Sequence, residues 1–315
     1  MRVAAIDCGT NSIRLLIADV NQNDVTDVVR TMIIVRLGEG VDQTKEFSQN
    51  ALTRTFAAVD EFAKLIEFHN PKRVRFVATS ASRDVSNREQ FFMGIKERLG
   101  VEPTVISGDE EARLSFLGAT TGFTSSDTRP EPPYLVIDIG GGSTEFVIGT
   151  DQPVRAISMD IGCVRMSERH FHNDPPTSEQ IALATYDINE AIKIADSKVV
   201  LSEANSIIGV AGSVTTVAAL ALGLPEYDPA KIHGSTISAD QVSEISTNLL
   251  QMTREQRSKL GPMHEGRVDV IGAGALVLAQ IMKKTGLASI TVSERDILDG
   301  IVIDMAKSAP ESSPS

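Results

Sequence analysis

Two loops in this chain place a carboxylate, a glycine and a serine at one spacing: Asp7-Cys8-Gly9-Thr10-Asn11-Ser12 and Asp138-Ile139-Gly140-Gly141-Gly142-Ser143. The second runs on through Thr144 to Glu145, so two acids bracket a triple glycine. Glycine has no Cβ to crowd the backbone, and successive N–H groups in such a loop can surround an anion, phosphate being the usual one. The hard oxygens of Asp138 and Glu145 suit Mg²⁺ rather than a soft metal. The chemistry suggested is metal-assisted work on a phosphate. A glycine-rich hairpin is the plain alternative, but a hairpin rarely needs three glycines closely bracketed by acids.

Other stretches add polar groups at the ends of apolar runs. Val74 to Ala78 leads into a polar loop of Thr79, Ser80, Ala81, Ser82, Arg83 and Asp84. Hydroxyls and a guanidinium there can meet a phosphate chain, although a surface salt bridge is the default for Arg83 alone. Gly108 precedes Asp109, Glu110 and Glu111 at a helix start. Acids there complement the helix dipole, yet three exceed what capping needs, and one can be a base that orients water. The residues themselves leave Glu110 and Glu111 equal. Gly212 and Ser213 open a helix after an apolar run, so free N–H groups can take a phosphate or ribose; a tight strand-to-helix turn explains them as well. Arg165, Arg169, His170 and His172 precede the turn Asn173-Asp174-Pro175-Pro176; the two histidines, separated by one residue, could hold a metal, but beside an exposed turn they are expected at the surface.

These groups need strands to hold them. Apolar, β-branched runs flank both glycine loops, at Val3–Asp7 and Ile13–Val20, then at Val136–Asp138 and from Phe146, a strand–loop–strand pattern. Asp138 follows Asp7 by 131 residues, and the matched context points to a duplicated domain. Loops that lead into strands exclude a Walker A site and a dinucleotide fingerprint, both of which open helices. Helical spacing from Ser48, with Leu52, Phe56, Val59, Ala63 and Ile66, predicts a helix that Asn70-Pro71 stops. Further helices are expected over 88–99, after Gly108, and over 178–197, 217–222, 238–250, 266–284 and 296–306. Strands are expected over 207–210 and 290–292. The polar, proline-rich stretch from Thr121 to Pro133 marks a linker. The expected domains are therefore 1–124 and 125–315, with the last helix packing back on the first.

A chain of 315 residues, 42% hydrophobic and 23% charged, is long enough for about two globular domains. The net charge of −12 argues against nucleic acid as a partner, and makes Mg²⁺ and salt important for any polyanionic ligand. The run Val268–Met282 is broken by Asp269 and is expected to be a buried helix rather than a membrane span. The N-terminal residues lack the sections of a signal peptide. Cys8 and Cys163 make no metal-ligand pair, and the expected location is the cytoplasm.

Asp–x–Gly–x–x–Ser used twice, with a third glycine loop opening a helix, resembles the actin-like ATPase superfamily. Within it the chain resembles the exopolyphosphatase and guanosine pentaphosphate phosphohydrolase family, on Asp7–Ser12, Ala78–Arg83, Ser107–Arg113, Asp138–Glu145 and Gly209–Thr216, with Ser293, Asp299 and Gly300 fitting an end motif loosely. The family's usual Arg-Glu-Gly near the end reads Leu298-Asp299-Gly300 here. The resemblance implies an α/β fold of two ribonuclease H-like domains with mixed sheets, and a cleft between them. It implies Mg²⁺-dependent hydrolysis, with Mn²⁺ as an alternative, of inorganic polyphosphate or pppGpp, and a homodimer. By position, Glu111 would be the general base, with Glu110 the second choice. Glu145 would assist with water or metal, and Asp138, Glu145 and Asp7 would be candidate metal ligands. Thr10, Asn11, Ser12, Arg83, Gly140, Gly141, Gly142, Ser143, Gly212 and Ser213 would bind phosphates. A kinase of the same superfamily and a non-catalytic binder of polyphosphate or alarmone are the rival functions.

Overall fold

Over the described residues, 1–21, 24–83, 85–121, 123 and 130–308, the computed structural model is α/β, with two mixed sheets flanked by helices. The first half of the chain forms β1 (Arg2–Cys8), β2 (Ser12–Asn21), β3 (Asp24–Ile34), α1 (Val41–Thr44), α2 (Gln49–His69), β4 (Arg73–Ala78), α3 (Ser80–Arg83), α4 (Arg88–Leu99) and β5 (Thr104–Val105). The sheet order is β3-β2-β1-β4-β5, with β1 antiparallel to β2 and parallel to β4. Alternate residues Ala4, Ile6 and Cys8 of β1 and Ile13, Leu15 and Ile17 of β2 pack with Leu52, Val59 and Phe62 of α2 and Phe91 of α4. The Ser48 hydroxyl accepts from the N–H of Ala51 to cap α2, and Asn70 in the left-handed conformation ends it before Pro71.

The next stretch forms α5 (Gly108–Thr121), β6 (Tyr134–Ile139), β7 (Thr144–Gly149), β8 (Pro153–Met159), α6 (Cys163–His170), α7 (Ser178–Val199), β9 (Ser206–Val210) and α8 (Ala211–Ala221). After these come α9 (Pro229–Ile232), β10 (Thr236–Ser238), α10 (Ala239–Gln251), α11 (Arg254–Ser258), α12 (Ile271–Thr285), β11 (Ser289–Val292) and α13 (Ile297–Lys307). The second sheet runs β10-β11-β9-β6-β7-β8. Read from the hairpin outward, β3-β2-β1-β4-β5 corresponds to β8-β7-β6-β9-β11, so the repeat in the sequence is a repeat of topology. One face of β6, through Leu135, Ile137 and Ile139, joins the core that includes α7, α8 and α12. The other face, through Tyr134 and Val136, lies under Ala112, Phe116 and Ala119 of α5. Burial on both faces is why these strands read as continuous apolar runs.

The compact units are Met1–Ser107 with the stretch from Ile297, and Gly108–Asp296. The division expected at 124/125 lies outside the described residues, as does most of the expected linker. Helix α5 follows a strand of the first sheet yet covers the second; α13 follows a strand of the second and packs on β1 and β2 of the first. Two other expectations change. The polar loop after β4 is the short helix α3, with Asp84 outside the described residues, and the stretch carrying Arg165, Arg169 and His170 is the helix α6.

Three arginines of the first sheet hold α13. Arg30 forms a two-pronged ion pair with the fully buried Asp299 (2.6 and 3.1 Å), Arg75 pairs with Asp304 (2.9 Å), and Arg73 donates to the carbonyl of Met305 (2.6 Å). Asp299 therefore sits inside a helix as an anchor. Removing one partner of a buried pair leaves an uncompensated charge. Arg30→Met is expected to destabilise the first unit by about 3 kcal/mol in urea denaturation, and Arg30→Met with Asp299→Leu to recover most of that loss.

Candidate functional site

The register of the second sheet builds the site. Asp138 of β6 lies opposite Glu145 of β7, and Glu145 lies opposite Ser158 of β8, so their side chains form one row on one face. That face is the one α5 covers. Glu111 and Ser115 are one turn apart on α5, and the Ser115 hydroxyl donates to Oδ2 of Asp138. Glu145 is held by two hydroxyls: Ser143 and Ser158 each donate to its Oε1, both at 2.7 Å. Glu111, Asp138 and Glu145 are all buried. Burial, then the charges of Glu111 and Asp138, push the Glu145 carboxyl well above the usual carboxylate range, and the two serine hydroxyls oppose that push. Three carboxylates in one buried patch are a strong demand for positive charge. Glu111 and Glu110 separate here: Glu111 is buried and acts on Glu145, whereas Glu110 is half-buried.

The glycine loop between β6 and β7 is oriented by α6. The N–H of Cys163 donates to the carbonyl of Gly140 (2.9 Å), those of Val164 and Arg165 to Gly141 (2.8 and 3.1 Å), and that of Gly162 to Gly142 (3.3 Å). Arg165 is nearly buried, and its Nε also donates to the Gly142 carbonyl (2.8 Å). Because the peptide is planar and trans, carbonyls turned toward α6 turn the N–H groups of Gly141, Gly142 and Ser143 to the opposite side. Such an array of amides suits an anion. Gly162 has to be glycine for this: a Cβ there would lie 2.3 Å from the carbonyl oxygen of Gly141 and 2.5 Å from the nitrogen of Gly142. Gly162→Ala is expected to weaken inorganic phosphate binding at the loop about tenfold or more, read by calorimetry, which corresponds to about 1.4 kcal/mol.

The first unit repeats the backbone device. Gly9 N–H donates to the Ser12 carbonyl and Gly140 N–H to the Ser143 carbonyl, both at 3.0 Å. The carbonyl of Thr10 accepts from Gly38 (2.8 Å) and that of Asn11 from Val35 and Arg36 (3.0 and 2.9 Å), which turns the N–H groups of Asn11 and Ser12 the other way. Thr10 Oγ1 shares a hydrogen bond of 3.0 Å with Ser80 Oγ. Arg83, at the end of α3, donates to the Ile106 carbonyl (3.4 Å). The charges do not repeat. Opposite Asp7 stands Arg14, which donates twice to Asp7 Oδ2 (2.6 and 3.1 Å). Where the second unit sets acid against acid, the first sets acid against base.

The third loop is filled by the protein itself. Arg267 lies across Gly212, where a Cβ would be 2.2 Å from its Cζ, and its Nη1 donates to the Gly212 carbonyl and to Thr216 Oγ1, each at 3.0 Å. Ser213 is buried against Gly274 and Cys163. A guanidinium thus stands beside Gly212 and Ser213, which the sequence marked for phosphate.

Among the described residues, no cluster of three or more His, Cys, Asp or Glu is placed to hold a metal ion by itself. Asp138 and Glu145 supply hard oxygens on neighbouring strands, which fits a cation that takes one or two carboxylates and completes its shell with phosphate oxygens and water. Asp7 belongs to the first unit and is engaged by Arg14. Both cysteines are buried, and burial holds their thiols above the usual value. Among the described residues no helix is long and apolar enough to cross a membrane.

Ser115, Ser158, Gly162, Arg165 and Arg267 were not singled out for the site by the sequence. Ser115 was within reach, one turn after Glu111. Ser158 required the β7–β8 register, and Gly162, Arg165 and Arg267 act on loops distant in sequence.

The model of the Ppx/GppA phosphatase family matches residues 16–309. Exopolyphosphatase 2 of Mycobacterium tuberculosis is 46% identical, over 97% of this chain and 98% of its own. A crystal structure of an exopolyphosphatase-like protein superposes with a TM-score of 0.94 at 45% identity, covering 98% of this chain and 99% of that one. The Ppx/GppA family member from Aquifex aeolicus superposes with a TM-score of 0.80 at 29% identity, over 98% of this chain and 99% of its own.

Proposed function

The chain belongs to the Ppx/GppA phosphatase family, and from that footing we propose that it is an exopolyphosphatase that removes terminal phosphate from inorganic polyphosphate. The two units are taken as its two ribonuclease H-like domains. The observation that carries the proposal is a glycine loop with its amides turned to one side, in the same unit as three buried carboxylates. The amides of Gly141, Gly142 and Ser143 bind the terminal phosphoryl group and hold it for in-line attack. Glu111 takes the proton of the attacking water. Asp138 and Glu145, each fixed by serine hydroxyls, would hold a divalent cation, Mg²⁺ by the hardness of their oxygens, with Mn²⁺ as the alternative. Such an ion supplies charge neutralisation for the phosphoryl oxygens. Phosphoryl transfer depends mostly on positioning and charge stabilisation, and this set of residues provides both. Within the first unit, the amides of Asn11 and Ser12, with Arg83, form a second phosphate-binding set.

The test is phosphate release from polyphosphate and from pppGpp, each with Mg²⁺ and with a chelator. Metal-dependent release that favours polyphosphate supports the proposal. Release from pppGpp alone would move the substrate to the alarmone, and binding without release from either would make the protein a sensor.

A further inference from the structure

Resting on the catalytic assignment above, we propose that Ser158 is a positioning residue for the hydrolytic step: its hydroxyl fixes the Glu145 carboxylate, and its Cβ sets how closely the turn of α5 that bears Glu111 approaches. The hydroxyl donates to Glu145 Oε1 at 2.7 Å, from directly across the β7–β8 pairing. Ser143 donates to the same oxygen from the glycine loop, also at 2.7 Å. Two hydroxyls converging on one oxygen fix the rotation of the carboxylate and direct its second oxygen. The other side of Ser158 faces the start of α5. A Cβ on Gly108 would lie 2.6 Å from Ser158 Cβ and 3.2 Å from its Oγ, so the helix start rests on the serine with no room to spare. Gly108 and Glu111 are three residues apart and share a helix face, so the face of α5 that rests on Ser158 is the face that carries the base. Ser158 is a spacer between two acids that act together, and it touches neither substrate nor water in this account.

The experiment measures kcat, KM and Tm on polyphosphate for Ser158→Ala, Ser158→Cys and Gly108→Ala, with Glu111→Gln in parallel. Ser158→Ala removes the hydroxyl and keeps the spacer; Gly108→Ala keeps the hydroxyl and forces the spacing. For both, kcat is expected to fall about 10- to 100-fold, the scale of a displacement near 1 Å, with KM within about twofold because the phosphate loop is untouched. For Ser158→Ala, Tm should move by no more than about 4 °C, as for one lost hydrogen bond in a domain of this size. Ser158→Cys keeps the Cβ and a weak donor and should fall between wild type and alanine; it also gives the reading should the alanine variant fail to fold. Wild-type kcat in Ser158→Ala beside a dead Glu111→Gln would overturn the positioning role alone. A KM that rises in step with the loss of kcat would also overturn it. Full activity in Glu111→Gln would overturn the catalytic assignment, and this inference with it.

Discussion

Glu111→Gln is expected to lower phosphate release from polyphosphate by about 10²- to 10⁴-fold, the usual contribution of a general base. Glutamine keeps the volume and polar character of the side chain at a buried position, so the loss reports the missing base and not a collapsed site. The substitution also removes one of the charges that press on Glu145, so the variant should melt no lower than the wild type. Glu110→Gln is the control. Its side chain is half-buried, and the acid acting on Glu145 is its neighbour, so activity within about twofold of wild type is expected, the range of a surface change. A phosphate-release assay beside a thermal melt decides the matter. A dead Glu110→Gln with an active Glu111→Gln would shift the base by one residue.

Glu145→Gln is expected to lose activity by about 10²- to 10³-fold, the cost of removing one preorganised electrostatic group, and to gain stability at the same time. Burial, then Glu111 and Asp138, hold the carboxyl of Glu145 above its ordinary value of 4.5. The folded protein therefore binds this proton more tightly than the unfolded chain does. By linkage, the associated stability is fully present below pH 4.5 and is lost as pH rises through the folded-state value. Above that folded-state value the wild type carries the whole penalty and the glutamine variant none. Melts taken in chelator from pH 4 to 8 should show the variant pulling ahead of wild type as pH rises. Equal slopes for the two proteins would contradict the charge crowding inferred at Asp138, Glu145 and Glu111.

The strands, the duplicated loop and α2 were legible in the sequence because local chemistry determines them. The Asp–x–Gly–x–x–Ser spacing recurs with its flanking strands, and Ser48 and Asn70-Pro71 punctuate α2 within a residue of its observed ends. Helix ends set by packing were less legible: α8 begins at Ala211, six residues before the expected Val217. The exchange of α5 and α13 has no local signal, since an amphipathic helix does not state which sheet it will cover. Among the site residues, Asp138, Glu145 and the loop glycines could be picked out by type and spacing. The residues alone leave Glu111 and Glu110 equal and the family resemblance favours Glu111; helix phase and burial are what set the two side chains apart in the structure. The turning of the loop carbonyls toward α6, and the guanidinium of Arg267 beside Gly212, are long-range backbone and packing events that no spacing announces.

The exchange of α5 and α13 has a consequence for synthesis of the chain. Gly108–Asp296 is continuous in sequence and contains the helix that covers its own sheet, so it is complete once Asp296 has left the ribosome. The first unit begins earlier and finishes later: β1 and β2 remain uncovered on one face until Leu298, Ile301, Val302 and Met305 arrive on α13. The domain made first is thus the last to mature. Domains generally fold as units during synthesis, and transiently exposed apolar surface invites aggregation. Nascent chains stopped before Ile297 should therefore carry a protease-resistant second unit beside a first unit that engages chaperones.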